Sequence, residues 1–197
     1  MTVYVESNFL LEIALQQEQS ASAEDLLARA EAGHLMLRWP GFCLAECLGA
    51  LMRRGSDRRQ VQAAVHRQAG DLARSGAHAS FAETLRRVSQ ELVDIEALES
   101  SRFDGVVRKL LGIGPPISLD AETYANAAAY RSKHDLEPKD AVVYACVISD
   151  LGRARDRTPS LFVSKDAKAF EASDLEADLA RLGCTYVRSF DSALKAV

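Results

Sequence analysis

The chain has 197 residues, of which 48% are hydrophobic and 26% charged, with a formal net charge of −4. That length and apolar content suffice for one full core and give no sign of a second, and the negative balance excludes a global attraction to nucleic acid or membrane. No stretch approaches the roughly 18 apolar residues of a membrane span, and the start lacks a basic then apolar leader pattern, so a soluble cytoplasmic protein is expected.

Strand-like and helix-like segments alternate at both ends of the chain, an order that predicts an α/β fold with a mostly parallel sheet. Val3 to Val5 reads as the first strand, and Ser7 and Asn8 as caps of a helix through Phe9, Leu10, Ile13 and Ala14. Ser22 with Asp25 resembles a capping box for a second helix with Leu26, Leu27 and Ala30 on its apolar face and Gly33 at its C-terminal cap. HLMLRW is a strand candidate closed by Pro40 and Gly41, followed by the helix FCLAECLGALMRR. From about 57 to 111 only helical patterning occurs, with Phe81, Leu85, Val88, Leu92 and Ile95 forming one apolar seam, which is read as a helical insertion in a single domain spanning 1–197. After GIGPP come two helices, SLDAETYANAAAYRSKHD and PKDAVVYACVISDL, the latter with Pro138 at its first position. SLFVS and CTYVR are the last strand candidates, with EASDLEADLARLG as the crossover helix between them and a short helix from Asp191. The four cysteines, Cys43, Cys47, Cys146 and Cys184, sit in apolar runs without paired histidines, the pattern of reduced core thiols and not of a zinc site.

Four carboxylates fall where burial is expected. Glu6 ends the first strand, and in open α/β sheets the carboxyl ends of central strands face the ligand crevice. Glu46 has Phe42, Cys43, Gly49 and Ala50 three and four residues away, so its side chain lies on a small, apolar helix face, with an ion pair to Arg53 or Arg54 as the structural alternative. Asp140 opens the run AVVYACVI, which has no polar face, although a first-turn aspartate also suits the helix dipole. Asp166 follows the strand SLFVS by two residues, where a plain loop or cap role competes. Gathered in one crevice, four such acids are stable only with protonation or a cation.

VYVESNFLLE, PGFCLAECLGAL, LEPKDAVVYACV and LFVSKDAKAF together resemble, in order, the four motifs of PIN-domain proteins. The resemblance covers both ends of the chain and implies a three-layer α/β/α fold around a mostly parallel sheet. It further implies a Mg²⁺- or Mn²⁺-dependent nuclease acting mostly on RNA, as in the VapC-like toxins. By that resemblance Glu6, Glu46, Asp140 and Asp166 form the acidic quartet that holds the metal, and Asn8 and Ser164 occupy the polar auxiliary positions. The chain departs from the family pattern twice. Glu6 stands where the family usually has Asp, which extends the carboxylate by about 1.5 Å, a displacement to which Mg²⁺ is sensitive. Ala169 stands where an acid commonly precedes the phenylalanine matched by Phe170, leaving Asp166, with Glu171 and Asp174 as substitutes.

Oxygen-only donors suit Mg²⁺ or Mn²⁺, and one or two such ions would activate water for in-line attack on a phosphodiester without a nucleophilic side chain. RNA contact is expected from the arginine-rich stretch that begins with Arg53, Arg54, Arg58 and Arg59, against the alternative of a solvated, ion-paired face. The aromatics Tyr4, Trp39, Tyr124, Tyr130 and Tyr144 read as core before they read as base-stacking residues. A second class of function is a PIN-like module that has lost catalysis and binds RNA or a protein; stabilisation by Mn²⁺ separates the two. A flavodoxin-like receiver or phosphatase would want an early acidic pair, which Glu6 alone does not supply. A homodimer and an antitoxin-like partner both stay open.

Overall fold

The structure is a computed structural model, and it describes residues 1–154, 158–170 and 173–197. Four parallel strands form the sheet: β1 (Thr2–Val5), β2 (Met36–Arg38), β3 (Ser160–Val163) and β4 (Cys184–Val187), in the spatial order β2-β1-β3-β4. β1 and β3 are the central strands, paired Val3 with Leu161 and Val5 with Val163. Both are buried along their whole length, which is why they read as continuous apolar runs in the sequence. From β1 the chain steps to β2 on one side and later returns to β3 on the other. The crevice beyond the carboxyl ends of β1 and β3 is therefore the topological switch point, where such sheets bind ligands.

Strand alternation divides the core in two. Val3, Val5, Leu161 and Val163 point toward α1 (Ser7–Ala14), α2 (Ser20–Glu31) and α9 (Phe190–Ala196), packing with Phe9, Leu26 and Phe190. Tyr4 and Phe162 point the other way, toward α6 (Pro138–Arg153) and α8 (Ser173–Arg181), against Tyr144, Cys146 and Leu179. This is the three-layer α/β/α arrangement. Every residue from Ala141 to Val147 is buried, so α6 runs through the core as its missing polar face predicts. Its far end is anchored by Asp150, which accepts hydrogen bonds from Tyr4 Oη at 2.9 Å and from Arg38 Nη2 at 2.5 Å. Cys43, Cys47, Cys146 and Cys184 are all buried free thiols. Tyr4, Trp39 and Tyr144 are core residues, whereas Tyr124 is exposed.

The helical middle differs from its sequence reading. The expected boundaries, 57 and 111, fall inside the unbroken helices α3 (Phe42–Leu72) and α4 (Ala79–Ile113), which form an antiparallel hairpin turning through a short 3₁₀ segment, Gly76–His78. Gly55 does not break α3. It makes room for α4, since a Cβ there would stand 2.6 Å from Glu96 Oε1. The contact face of α4 runs through Ala82, Leu85, Ser89, Leu92, Glu99 and Phe103, a 3.5-residue spacing, and so takes only Leu85 and Leu92 from the expected seam. Phe81, Val88 and Ile95 stay exposed beside it. Lower down, Phe103, Val106 and Leu110 of α4 enter the core under α1 and α2, which is how the hairpin is rooted in the sheet domain.

Two other local readings change. The capping box at Ser22 does not form: α2 starts at Ser20, and Ser22 Oγ instead donates to Asp191 Oδ1. Gly33 does terminate that helix, with φ of +75°. α9 begins one residue early, because Ser189 caps it by accepting from the Ser192 N–H.

Polar residues also line the hairpin interface. Arg58 donates from both terminal nitrogens to Glu99, at 2.5 and 2.6 Å, and Gln62 Nε2 donates to Ser89 Oγ at 2.9 Å. The Glu99 side chain is largely shielded from water, so Glu99→Ala leaves a guanidinium with no carboxylate and should cost about 2 kcal/mol. Chemical denaturation should detect that loss, and Arg58→Met in the same chain should recover part of it.

Candidate active site

β1 ends at Val5, and Glu6 is the N-cap of α1, its carboxylate accepting the Asn8 N–H at 2.9 Å. Ser7 and Asn8, the expected caps, are the first residues of the helix. The strand-to-helix junction therefore presses the Glu6 carboxylate into the crevice, 6% exposed, with its Oε1 buried and without a hydrogen-bond partner. Burial, opposed by the Asn8 N–H bond and the nearby Ser164 hydroxyl and reinforced by the Glu46 charge, pushes the Glu6 carboxyl up to about 7.

Asp140 reaches the crevice from the first turn of α6 and is also buried. Burial comes first among the causes that lift its carboxyl to about 6; Lys139 opposes the rise, and Asp166 and Glu46 add to it. Glu46 projects from α3 and accepts a 2.5 Å hydrogen bond from Ser7 Oγ. Neither Arg53 nor Arg54 forms an ion pair with it. Asp166, partly buried after β3, has its N–H donated to Ser164 Oγ at 3.0 Å and accepts from the Ala169 N–H at 3.1 Å. It is both a cap of α7 (Ala167–Phe170) and a wall of the crevice. Ser164 is fully buried under it.

One cleft of about 300 Å³ is thus lined by Glu6, Asn8, Glu46, Asp140 and Asp166, together with Arg53. Residues from α1, α3, α6 and the β3–α7 loop, up to 160 positions apart in the chain, share it. Among the described residues no three Asp, Glu, His or Cys side chains yet stand close enough to hold an ion together. The donor chemistry nevertheless fits a hard divalent cation: every acid supplies oxygen, one buried oxygen lacks a partner, and Glu6 and Asp140 are both held above the usual carboxylate range by burial first and by the Glu46 charge after it. Glu46 is tied back by Ser7, so its approach to an ion would need that hydrogen bond to open.

The remaining expectations divide. Arg53 lines the cleft, and Gly49 one turn earlier leaves room for it, since a Cβ there would meet Arg53 Nη1 at 3.4 Å. Arg58 is engaged by Glu99, and Arg59 by Glu96, so both guanidiniums serve the hairpin. Arg54 is exposed on α3 and lines none of the clefts described here. Asp174 is paired with His134 Nδ1 at 2.5 Å and does not line the acidic cleft. Glu171 lies outside the described residues. Ala169 lines a neighbouring cleft, where it adds no donor.

Three residues were missed by the sequence reading. Ser7 passed for an ordinary cap. Glu12 and Lys165 carried no visible signal, because what pairs them is a contact across 153 positions. Glu12, 1% exposed on α1, accepts from Lys165 Nζ at 2.8 Å and from the Gln19 N–H at 2.5 Å. This pair pins the segment carrying Asp166 to α1. Lys165→Met should leave the buried Glu12 charge unpaired and cost about 3 kcal/mol, or roughly 6–12 °C in Tm. Glu12→Gln added to it should restore part of the loss in a thermal melt.

No helix among the described residues is long and apolar enough to cross a membrane. Residues 3–170 match a family model described as PIN domain. No curated protein and no solved structure matches the chain.

Proposed function

The chain belongs to the PIN domain family, and from that premise we propose that it is a divalent-metal-dependent endoribonuclease that hydrolyses RNA phosphodiester bonds in the acidic cleft. The observation that carries this reading is the meeting of Glu6, Glu46, Asp140 and Asp166 around one cleft at the sheet's switch point, with a buried Glu6 oxygen left unpartnered. PIN domains are commonly nucleases and generally use divalent metals.

Glu6, Asp140 and Asp166 would hold the cation, Mg²⁺ or Mn²⁺, with Glu46 reaching it directly or through water. When bound, the cation supplies positive charge at the phosphate oxygens and lowers the pKa of water. The protein's own part is to orient. Asn8 fixes one Glu6 oxygen through its N–H and leaves the other facing inward. Ser164 holds the backbone of Asp166, and the core packing of α6 fixes the depth of Asp140. Arg53, at the rim and without a carboxylate partner among the described residues, is placed to hold a backbone phosphate by charge without reading sequence.

Pooled single-stranded RNA incubated with the protein and Mn²⁺ should be cut, and EDTA should stop the cutting. A protein that gains stability from Mn²⁺ yet leaves RNA intact would favour the alternative, a PIN-like module that binds RNA or a protein partner. The replacement of Asp by Glu6 and the absence of an acid at Ala169 are the observations favouring that alternative.

A further inference from the structure

A chain laid across the four acids has to leave the site on both sides, and a second, larger cleft opens beyond the first. It has a volume of about 660 Å³, lies between the α5–α6 connection and α7, where α5 is Ala121–His134, and shares Lys139, Asp140 and Asp166 with the acidic cleft. Asp140 and Asp166 therefore stand at the junction of two openings, with Glu6 and Glu46 on the side of the smaller one. Each opening has one arginine away from the shared residues, Arg53 in the smaller and Arg131 in the larger.

Neither of these arginines is held in an ion pair among the described residues. Arg38, Arg58, Arg59, Arg86 and Arg153 are each paired with a carboxylate, whereas Arg53 and Arg131 have none among the described residues. The larger cleft is not a general anion sink, because Asp135 and Glu137 also line it. A phosphate in it is favoured only close to Arg131 and Lys139. His134 forms part of the same wall; its side chain is wholly buried, and Nε2 has no hydrogen-bond partner, although Asp178 stands 3.3 Å away. Its Nδ1 is already paired with Asp174 and the ring is enclosed, so His134 offers a ligand no further donor, and the positive charge of this cleft is that of Arg131 and Lys139.

We propose that a single RNA strand runs through both clefts with the scissile phosphate at their junction, Arg131 holding a backbone phosphate on one side of the cut and Arg53 on the other. The proposal rests on the nuclease reading above and adds to it a strand path and a substrate-positioning residue, Arg131. Because both openings are needed, no free strand end is. A strand, not a duplex, suits acids as deep as Glu6 and Asp140, which a flexible backbone can reach.

Two measurements test this path. The first compares Mn²⁺-dependent cutting of a covalently circular single-stranded RNA with its linear form, and both should be cut at comparable rates. Cutting of the linear form alone overturns the two-sided path and the endonucleolytic part of the reading above, leaving a metal-dependent nuclease that needs a strand end; cutting of neither overturns the nuclease reading as well. The second follows binding of a labelled oligouridine by anisotropy across a KCl series, with Asp140→Asn in every chain so that the strand stays whole. Arg131→Gln and Arg53→Gln should each reduce the slope of log K against log [salt] by about 0.7, the value for one lost phosphate contact on a single strand. Lys195→Gln, on α9 outside both clefts, should leave the slope unchanged. An Arg131→Gln slope equal to that of the Lys195→Gln control overturns the role given to Arg131.

Discussion

Asp140→Asn should lower Mn²⁺-dependent RNA cleavage by at least about 100-fold, close to 3 kcal/mol of transition-state stabilisation, while the metal-free protein melts no lower than the wild type. Both halves follow from where Asp140 sits. It occupies the first turn of a helix whose next seven residues are buried, so its carboxylate cannot move out to solvent without moving the core. Burial is the main cause of its raised pKa; Lys139 at 4.0 Å opposes the rise, and Asp166 and Glu46 add to it. The amide is nearly the same size, keeps the helix start and removes one repelling charge; it also removes an anionic oxygen from the set that would bind a cation. A variant that keeps full cleavage would refute the carboxylate mechanism. One that loses cleavage and also melts far below the wild type would place Asp140 in the fold instead. Measuring rate and Tm on the same preparations separates these outcomes.

The second large effect is a pH-dependent response to metal. Glu6 and Asp140 have folded-state pKa values raised to about 7 and about 6, by burial first and by neighbouring acids after it. A carboxyl whose pKa is raised on folding binds more protons in the native than in the unfolded state, so its contribution favours the native state at low pH. That contribution is lost as pH rises from about 4.5 through 7. For Glu6 alone the displacement corresponds to roughly 3 kcal/mol. Metal-free protein should therefore lose stability between pH 5 and pH 8 relative to Glu6→Gln, in which this titration is absent. Mn²⁺ competes with those protons, so its stabilising effect should be small at pH 5 and full at pH 8. At a concentration 100 times the dissociation constant the gain is about 2.7 kcal/mol, or roughly 5–11 °C in Tm. Equal Mn²⁺ shifts at pH 5 and pH 8, or an undiminished shift in Glu6→Gln, would show that these two acids do not form the cation's site.

Much of this architecture is written in local pattern. Val3 to Val5 and Leu161 to Val163 are apolar without alternation, and only a strand buried on both faces needs that. The run from Ala141 to Val147 lacks a polar face because the helix is enclosed, and Gly33 and Gly183 end their helices at φ near +75°. Glu46 and Asp140 stand out in the sequence as carboxylates on apolar helix faces, where they are costly unless they have a use, and Glu6 and Asp166 as acids at strand ends, but it is the resemblance to the PIN-domain motifs that joins the four into one set.

Other features depend on partners that no local window contains. Positions 57 and 111 lie inside helices because a helix propagates past polar residues once it is started, and α3 gives way to α4 only at the turn around Gly76–His78. Arg58 and Arg59 look identical to Arg53 in composition, yet two of the three face α4 and meet Glu99 and Glu96. Glu12 and Lys165 form a buried pair only because α1 and the end of β3 lie side by side. The sequence by itself determined the strands, the enclosed helix and which acids are out of place. Tertiary structure alone decided which charges are already neutralised and which remain free to meet a ligand, since that depends on distances through space between residues far apart along the chain.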